Sequence, residues 1–546
     1  MAQLIVPAEV EGQILACSEG LSFWGGVDPV TAEVIDAHHP QFGETLAGRV
    51  VLMPTSRGSC SGSGVLLALA LNGKAPVALV FREAEDILTL GALIAARMFE
   101  RPLAVVRLCD RDYEALSKES FARITGEVLE SGALSLPLST LSAEELDLTA
   151  ADRAMLAGDE GPAVKLAMET LCTMAAVQGA PRLLDVTRVH IDGCIYHSPA
   201  NLRFAETMAE MGSVDHANWR GQGVPEDFGV PASQLADAYL QMGAQPSFTC
   251  APYQMDDRPG AGEDIGWSES NAVIYANSVL GARTAKHPDY LDLCIALTGR
   301  APRSGVYLAE NRIARRRIAV DLPEGYDDAF WPLLGWVAGQ LAPDRIPLLT
   351  GLESAAPSED DLRALCAAFG TTSAAPMLHV AGITPEGNGP PANDADSLRL
   401  TREDLARAWH GFNAGGREVE LVSLGSPHFS LAEMRRFAAL MEGRQRHKDV
   451  AVIITLGRSI LETARAEGLV ARLEAAGVQI VPDICWCSIT EPVLPPQART
   501  LMTNSGKYAH YAPGLCGRGV RFGSLQDCAI AAQSGQAPAD LPAWLR

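Results

Sequence analysis

Two short stretches carry residue types that could do chemistry. The first, 54-PTSRGSCSGSG-64, sets Ser59, Cys60, Ser61 and Ser63 among glycines, between the apolar runs 50-VVLM-53 and 65-VLLALAL-71. Strand, Gly/Ser loop and helix form the frame of both phosphate cradles and nucleophile elbows. A Walker loop is excluded, because that motif needs Gly-Lys-Ser/Thr and no lysine precedes Lys74. Gly58-Ser59-Cys60-Ser61-Gly62 matches an elbow with Cys in the Ser place, and a plain helix-capping turn fits equally well. The second stretch is split. 425-GSPH-428 follows 418-EVELVSL-424, and 485-CWC-487 follows 478-VQIVPDI-484. If both runs are strands of one open sheet, Ser426, His428, Cys485 and Cys487 share its carboxyl rim, where such sheets bind ligands. Thiolates and imidazole there suit a metal or cluster, with ordinary loop residues as the plain alternative.

A larger frame must position these groups. Residues 1–145 read as a small β-rich domain, with short apolar strands at 4-LIVPAEV-10, 49-RVVLM-53, 76-PVALVF-81 and 103-LAVVRL-108. A helix is predicted at 86-DILTLGALIAARM-98, and 142-SAEE-145 matches a capping box at the boundary. Residues 146–546 form the second domain. It starts with the helix 162-PAVKLAMETLCTMAAVQGA-180 and a strand-like run, 183-LLDVTRVHI-191. Its last third alternates strands at 376-PMLHVAG-382, 418–424, 450-VAVIITL-456 and 478–484 with helices at 430-SLAEMRRFAALMEG-443 and 459-SILETARAEGLVARLEAAG-477. That spacing predicts right-handed βαβ units in a parallel sheet. The fold class is α/β, with parallel-sheet layers in the large domain and a β-rich N-terminal domain.

Bulk properties narrow the function. A chain of 546 residues exceeds what one core sustains. Lys+Arg 44 against Asp+Glu 66 leaves a net charge of −22, which repels nucleic acid and anionic membranes. The basic run 312-RIARRR-317 reads as a solvated face or a local carboxylate partner. No apolar stretch reaches the length of a membrane span, and the start, MAQLIVPAEVEG, lacks signal-peptide character. A cytoplasmic protein is expected. Its twelve cysteines are then mostly core residues, with a few left for ligation or reactivity.

Five stretches in order, 249-TCAPYQ-254, 262-GEDIGWSESNAVIYANSVLGART-284, 425-GSPH-428, 483-DIC-485 and 502-MTNSGKYAHYAPG-514, resemble aconitase X, a branch of the aconitase superfamily. The resemblance spans essentially the whole chain. It implies a three-layered α/β large domain holding an iron–sulfur cluster, and a swivel domain over the first 145 residues that closes over it. The loop at 54–64 would be the Ser-rich active-site loop. Family members are dehydratases. Two-chain archaeal relatives resemble (R)-5-phosphomevalonate dehydratases, and fused bacterial relatives resemble cis-3-hydroxy-L-proline dehydratases; the fusion seen here favours the second. Where the archaeal type has Gly-Cys-Pro-His, this chain has Gly425-Ser426-Pro427-His428. The resemblance therefore implies Cys250 and Cys485 as iron ligands, with Cys194 of 190-HIDGCIYH-197 as the third. Ser426, Cys487 and Cys60 are the alternatives. A 2Fe–2S cluster suits this smaller set, with 4Fe–4S, 3Fe–4S and a mononuclear iron left open.

The implied roles follow the chemistry of dehydration. A base removes the Cα proton: Ser61 or Ser59, supported as an alkoxide by Arg57 or Lys507, with Cys60 as rival. Lys507 and His190 complete the catalytic set. Arg283 or Lys507 would hold the substrate carboxylate and Glu269 or Asp264 the ring ammonium, while Arg57, Ser63, Asn271 and Ser505 contribute further contacts. The expected partner is a small-molecule substrate only, with no nucleic acid and no membrane, on a monomer. Other readings are a same-family dehydratase of phosphomevalonate or another hydroxy acid, a hydrolase using Cys60, and a non-catalytic iron–sulfur regulator.

Overall fold

The computed structural model describes residues 2–141, 145–191, 215, 217–539 and 541–546. The chain divides into two compact units: residues 1–209 with 263–269 and 283–311, and residues 210–262 with 270–282 and 312–546.

The first unit is organised by a nine-stranded mixed sheet running from Gln3 to Thr140. Its middle is parallel: Val10–Ala16, Val50–Met53, Ala78–Phe81 and Ala104–Arg107 lie side by side. Val50–Met53 and Ala78–Phe81 are buried at every residue, because helices cover a parallel sheet on both faces and leave no polar side. Antiparallel strands Phe121–Thr125, Val128–Ser131 and Leu134–Pro137 extend one edge. Val50, Leu52, Val80, Val106, Ile124 and Leu129 make one continuous core. The run predicted as one strand over 4–10 is two, Gln3–Val6 and Val10–Ala16, broken around Pro7, which has no N–H to donate to a ladder. The run 183–191 is likewise two short strands. Leu183–Asp185 pairs with Arg300–Pro302, and Val189–His190 pairs in parallel with Gly266–Trp267. Helix Pro162–Val177 carries its proline in the first turn, as expected. The capping box at 142–145 falls largely outside the described residues.

The second unit holds two parallel sheets. One has four strands in the order His379–Val380, Pro347–Thr350, Arg316–Val320, Asp396–Leu400. The other has five: Gln479–Pro482, Ala451–Leu456, Leu421–Leu424, Thr500–Thr503, Gly519–Phe522. The run 376–382 therefore contributes only two strand residues, and to the first of these sheets. The helix predicted over 459–477 is two helices, Arg458–Ala466 and Leu469–Ala475, because Gly468 between them takes a φ of 72°, which ends a helix. Helix Leu431–Leu440 opens on the predicted Ser430/Glu433 capping box. Phe429, Phe437, Val452, Ile454, Leu473 and Leu525 form the core beneath the five-stranded sheet. Ser426, His428, Cys485 and Cys487 follow its strands Leu421–Leu424 and Gln479–Pro482, so the predicted shared rim exists.

Candidate active site

In the first unit, strand Val50–Met53 delivers the Gly/Ser loop and helix Gly62–Leu71 begins directly after Ser61. Ser56, Ser59, Cys60, Ser61 and Ser63 are all buried. Glu85 anchors the loop. Its carboxylate accepts from Ser56 Oγ at 2.6 Å and from the amides of Leu88 (2.8 Å) and Thr89 (2.9 Å), so it also caps helix Ile87–Phe99. Gly91 lets that helix approach, since a Cβ there would stand 2.7 Å from the Ser63 carbonyl oxygen. Ser59 Oγ donates to Ser61 Oγ over 3.3 Å, and Ser63 Oγ lies within donor reach of the Cys60 (3.1 Å) and Asp289 (3.2 Å) carbonyls.

Asp289 is the group that sequence reasoning missed. Its amide donates to the Cys60 carbonyl at 3.3 Å, and its buried carboxyl faces the Ser61 hydroxyl. Burial first, then the charge of Asp292, pushes this carboxyl well above the usual range; Ser61 pulls the other way and Glu269 adds a smaller push up. Asp292 is occupied: it accepts from Ser268 Oγ (2.6 Å) and from the amides of Tyr290 (2.9 Å) and Leu293 (2.8 Å). The available signal was the pair Asp289 and Asp292 at the start of helix Leu291–Thr298, where one acid caps and the other is left over.

The other first-unit residues fall as follows. His190 is held by its strand pairing edge-on to Trp267, with ring centroids 6.3 Å apart. Burial pushes its imidazole down to about 4 against the pull of buried Glu269, so the ring is neutral at neutral pH. Arg57 is engaged by Glu19 at 3.2 Å and Asp36 at 3.4 Å. Arg283 is half-buried and its backbone bridges to Asp264.

In the second unit the sulfur groups gather. Hydrogen bonds from the Cys250 and Cys487 thiols hold the Cys485 thiol well below its ordinary value; burial opposes them, and Lys507 and His428 assist. Six other cysteines move the opposite way. Burial pushes Cys17 and Cys294 up to about 12 and Cys172 to about 11, and also raises Cys366, Cys516 and Cys528. The His428 amide donates to Cys250 Sγ at 3.3 Å. His428 Nε2 lies 3.0 Å from the Ile484 carbonyl, which only accepts, so Nε2 carries the proton and Nδ1 accepts from Thr249 Oγ1 at 3.1 Å.

Around this cluster the backbone is tightly set. Gly425 has a φ of 102°, and a Cβ there would lie 2.1 Å from the Thr455 carbonyl oxygen, so only glycine fits. Asn271 donates to the Cys250 carbonyl (2.9 Å) and accepts from Tyr253 Oη (2.7 Å), bracketing the Cys250 turn. Ser505 caps helix Gly506–Cys516 by accepting from the Tyr508 amide at 3.0 Å, and it donates to the Ser426 carbonyl. Ser426 Oγ is buried with no hydrogen bond among the described residues. Lys507 is buried and close enough to Cys485 to act on its charge. Beneath the rim, buried Arg363 donates to the His428 carbonyl at 2.6 Å and pairs with Glu433 and with Asp360, 3.1 Å away. Among the described residues no three His, Cys, Asp or Glu side chains surround a common metal position. Cys194 lies outside the described residues.

Four family models, all of aconitase X, match in succession: the swivel domain over residues 1–131, the first domain over 145–310, the second over 314–410 and the third over 419–534. The chain belongs to the aconitase X family. Within the family it is 49% identical to the cis-3-hydroxy-L-proline dehydratase of Pseudomonas aeruginosa, covering 100% of this chain and 99% of the relative. The cis-3-hydroxy-L-proline dehydratase of Hypocrea jecorina is 45% identical over 99% of this chain and 96% of its own. The phosphomevalonate dehydratase large subunit of Methanothermobacter thermautotrophicus is 32% identical over 66% of this chain and 93% of its own. Among solved structures, the holo form of Thermococcus kodakaraensis aconitase X superposes with a TM-score of 0.64 at 27% identity, over 72% of this chain and all of that one. The expected α/β aconitase X fold is thus the observed one. No described helix is long and apolar enough to cross a membrane.

Proposed function

We propose that this aconitase X protein is a hydro-lyase that dehydrates cis-3-hydroxy-L-proline, giving water and, after the enamine tautomerises, Δ1-pyrroline-2-carboxylate. The observation that carries the reading is end-to-end likeness, at 49% and 45% identity, to single-chain dehydratases of that substrate. The phosphomevalonate dehydratase large subunit covers only two thirds of the chain.

Ser61 takes the Cα proton while its own proton passes to the Asp289 carboxylate. A serine hydroxyl alone is a weak base at neutral pH, and a buried carboxylate of raised pKa is a stronger acceptor than an exposed one. Ser59 and Ser63 hold the loop with their hydroxyl protons, and their oxygens can still accept from the substrate. Arg283 or Lys507 takes the substrate carboxylate, and Glu269 or Asp264 the ring ammonium. Neutral His190 stands ready as a hydrogen-bond donor to the leaving oxygen. Arg57 serves the loop through its two carboxylates, and Asn271 and Ser505 act by holding Cys250 and Ser426.

The donor chemistry fits an iron–sulfur cluster. The Cys485 thiol is already held low, an amide N–H is directed at Cys250 Sγ, and Ser426 Oγ is buried without a partner among the described residues. Cys250 and Cys485 would hold the cluster, of 2Fe–2S type on so few thiols, with Cys194 as third ligand and Ser426 or Cys487 as substitutes. When bound, it supplies Lewis acidity to the departing hydroxyl. The eleven described cysteines are free thiols, in keeping with a cytoplasmic protein, and the presence of both lobes on one chain favours a monomer.

The test is turnover by anaerobically purified enzyme of cis-3-hydroxy-L-proline against (R)-5-phosphomevalonate. Loss of the first alone is expected; conversion of only the second overturns the assignment. Iron and sulfide content of Cys194→Ala, beside wild type, decides the third ligand.

A further inference from the structure

One turn of the first unit departs from ordinary backbone. The Leu291 amide donates to the Pro288 carbonyl at 3.0 Å and closes a four-residue turn through Asp289 and Tyr290. Tyr290, its third residue, has a φ of 79° and a ψ of −27°. A type II turn takes glycine at that place, because a Cβ crowds the backbone at positive φ. Here the side chain is a tyrosine, 2% exposed. Strain of this kind persists only where the surroundings over-determine the conformation.

Two sets of bonds do so. On one side stands the buried carboxylate of Asp292. Its Oδ1 accepts from the amides of Tyr290 (2.9 Å) and Leu293 (2.8 Å), and its Oδ2 accepts from Ser268 Oγ (2.6 Å). Ser268 directly follows strand Gly266–Trp267, which pairs with the strand of His190, and Glu269 comes next in the chain. On the other side the main chain of the turn is fastened to the Ser loop. The Asp289 amide donates to the Cys60 carbonyl at 3.3 Å, and the Asp289 carbonyl accepts from Ser63 Oγ at 3.2 Å. A relaxation of Tyr290 to negative φ would turn the Asp289 peptide about the Tyr290 N–Cα bond, out of register with these ties.

We propose that Asp292 is a positioning residue of the dehydration: its carboxylate clamps the Tyr290 turn, and the turn holds Asp289 in place against the Ser61 loop. The inference rests on the assignment of Asp289 as acceptor of the Ser61 proton. Asp292 acts through Asp289 in two ways. Its bonds fix where that carboxyl stands, and its negative charge raises the carboxyl's affinity for a proton. Glu269 is the other charge acting on Asp289, with the Ser61 hydroxyl opposing both. On the remaining sides His190 faces Glu269, Cys294 faces Asp292, and the buried His287 ring sits 2.8 Å from the Tyr307 hydroxyl.

The test is the pH dependence of kcat for cis-3-hydroxy-L-proline in the full-length, cofactor-loaded enzyme, with Asp292→Asn, Asp292→Ala and Asp289→Asn beside wild type. Asparagine keeps an oxygen for the Tyr290 and Leu293 amides and lets Ser268 accept instead of donate, but it removes the charge. Asp292→Asn should keep the iron content and melting curve, lower kcat by less than about tenfold, and move the acid limb down by about half a pH unit or more. Asp292→Ala frees the turn. Its kcat should fall at least about 10²-fold, the scale for a misplaced reacting group, with KM within about threefold and iron unchanged. An Ala variant whose kcat stays within about threefold of wild type overturns the proposal. So does an acid limb that stays in place in Asp292→Asn while Asp289→Asn lacks one, a result that leaves the Ser61–Asp289 assignment standing. An acid limb retained by Asp289→Asn removes that assignment, and this proposal with it. If Asp292→Ala does not fold, the profile of the Asn variant decides.

Discussion

The Ser-loop region of the first unit and the sulfur region of the second solve opposite electrostatic problems. Around Ser61 the surroundings are acidic and dry, and they oppose charge: burial raises the Asp289 carboxyl and lowers the His190 imidazole. Around Cys485 the surroundings are donor-rich and lower what is titratable. The first set is suited to receive a proton and the second to present sulfur anions. A dehydratase needs both capacities, because a proton and a hydroxide must leave neighbouring carbons. Groups in both regions are desolvated; burial prevails at Asp289 and His190, whereas hydrogen bonds outweigh it at Cys485.

The largest effects should separate the two regions. Cys250→Ala and Cys485→Ala should lose bound iron and at least about 10³-fold in turnover. Ser61→Ala should keep wild-type iron and visible absorption while losing about 10²–10⁴-fold in kcat. Iron lost from Ser61→Ala would erase the distinction. Next, Arg363→Met strands Glu433 and Asp360 under the 425–430 loop, so urea unfolding should show about 3–5 kcal/mol less stability, the scale for breaking a buried ion pair. Asp289→Asn should lower kcat about 10²-fold with iron intact. Wild-type activity falls as pH drops through the raised Asp289 pKa, because the acceptor must be ionised, and the Asn variant should lack that acid limb.

The smallest effect tests the acidic side by stability. Burial, then Glu85, pushes the Asp86 carboxyl up to about 7, with Gln178 Nε2 donating at 3.0 Å. A carboxyl raised on folding favours the folded state fully below its unfolded pKa of about 3.9. That advantage is lost as pH rises through about 7. Asp86→Asn keeps the Gln178 bond and should raise stability by ~2 kcal/mol at pH 8 and by almost nothing at pH 4, read by chemical denaturation.

Much of the frame was readable from local signals. The Ser430/Glu433 capping box, the proline opening helix Pro162–Val177 and the all-apolar strands each depend on a few neighbouring residues. The misreadings had local causes as well: Pro7 and Gly468 each interrupt a periodic run, and hydropathy alone does not weigh a missing N–H or a positive φ. The site was readable only as residue types. Arg57 looked like a free cation until Glu19 and Asp36 were seen on it. Asn271 could by type bond substrate or backbone, and its amide holds the Cys250 carbonyl. Arg363, which carries the His428 loop, offered no signal at all.

By itself the amino-acid sequence determined the family, the alternation of strand and helix, and the Ser, Cys and His side chains available for reaction, because patterning and motif spacing are short-range properties of a chain. Only the tertiary structure decided in which direction the titration of those groups is pushed. Protonation depends on charges and donors within a few ångströms, and here those neighbours come from segments as distant as Ser61 and Asp289, or Cys250 and Cys485.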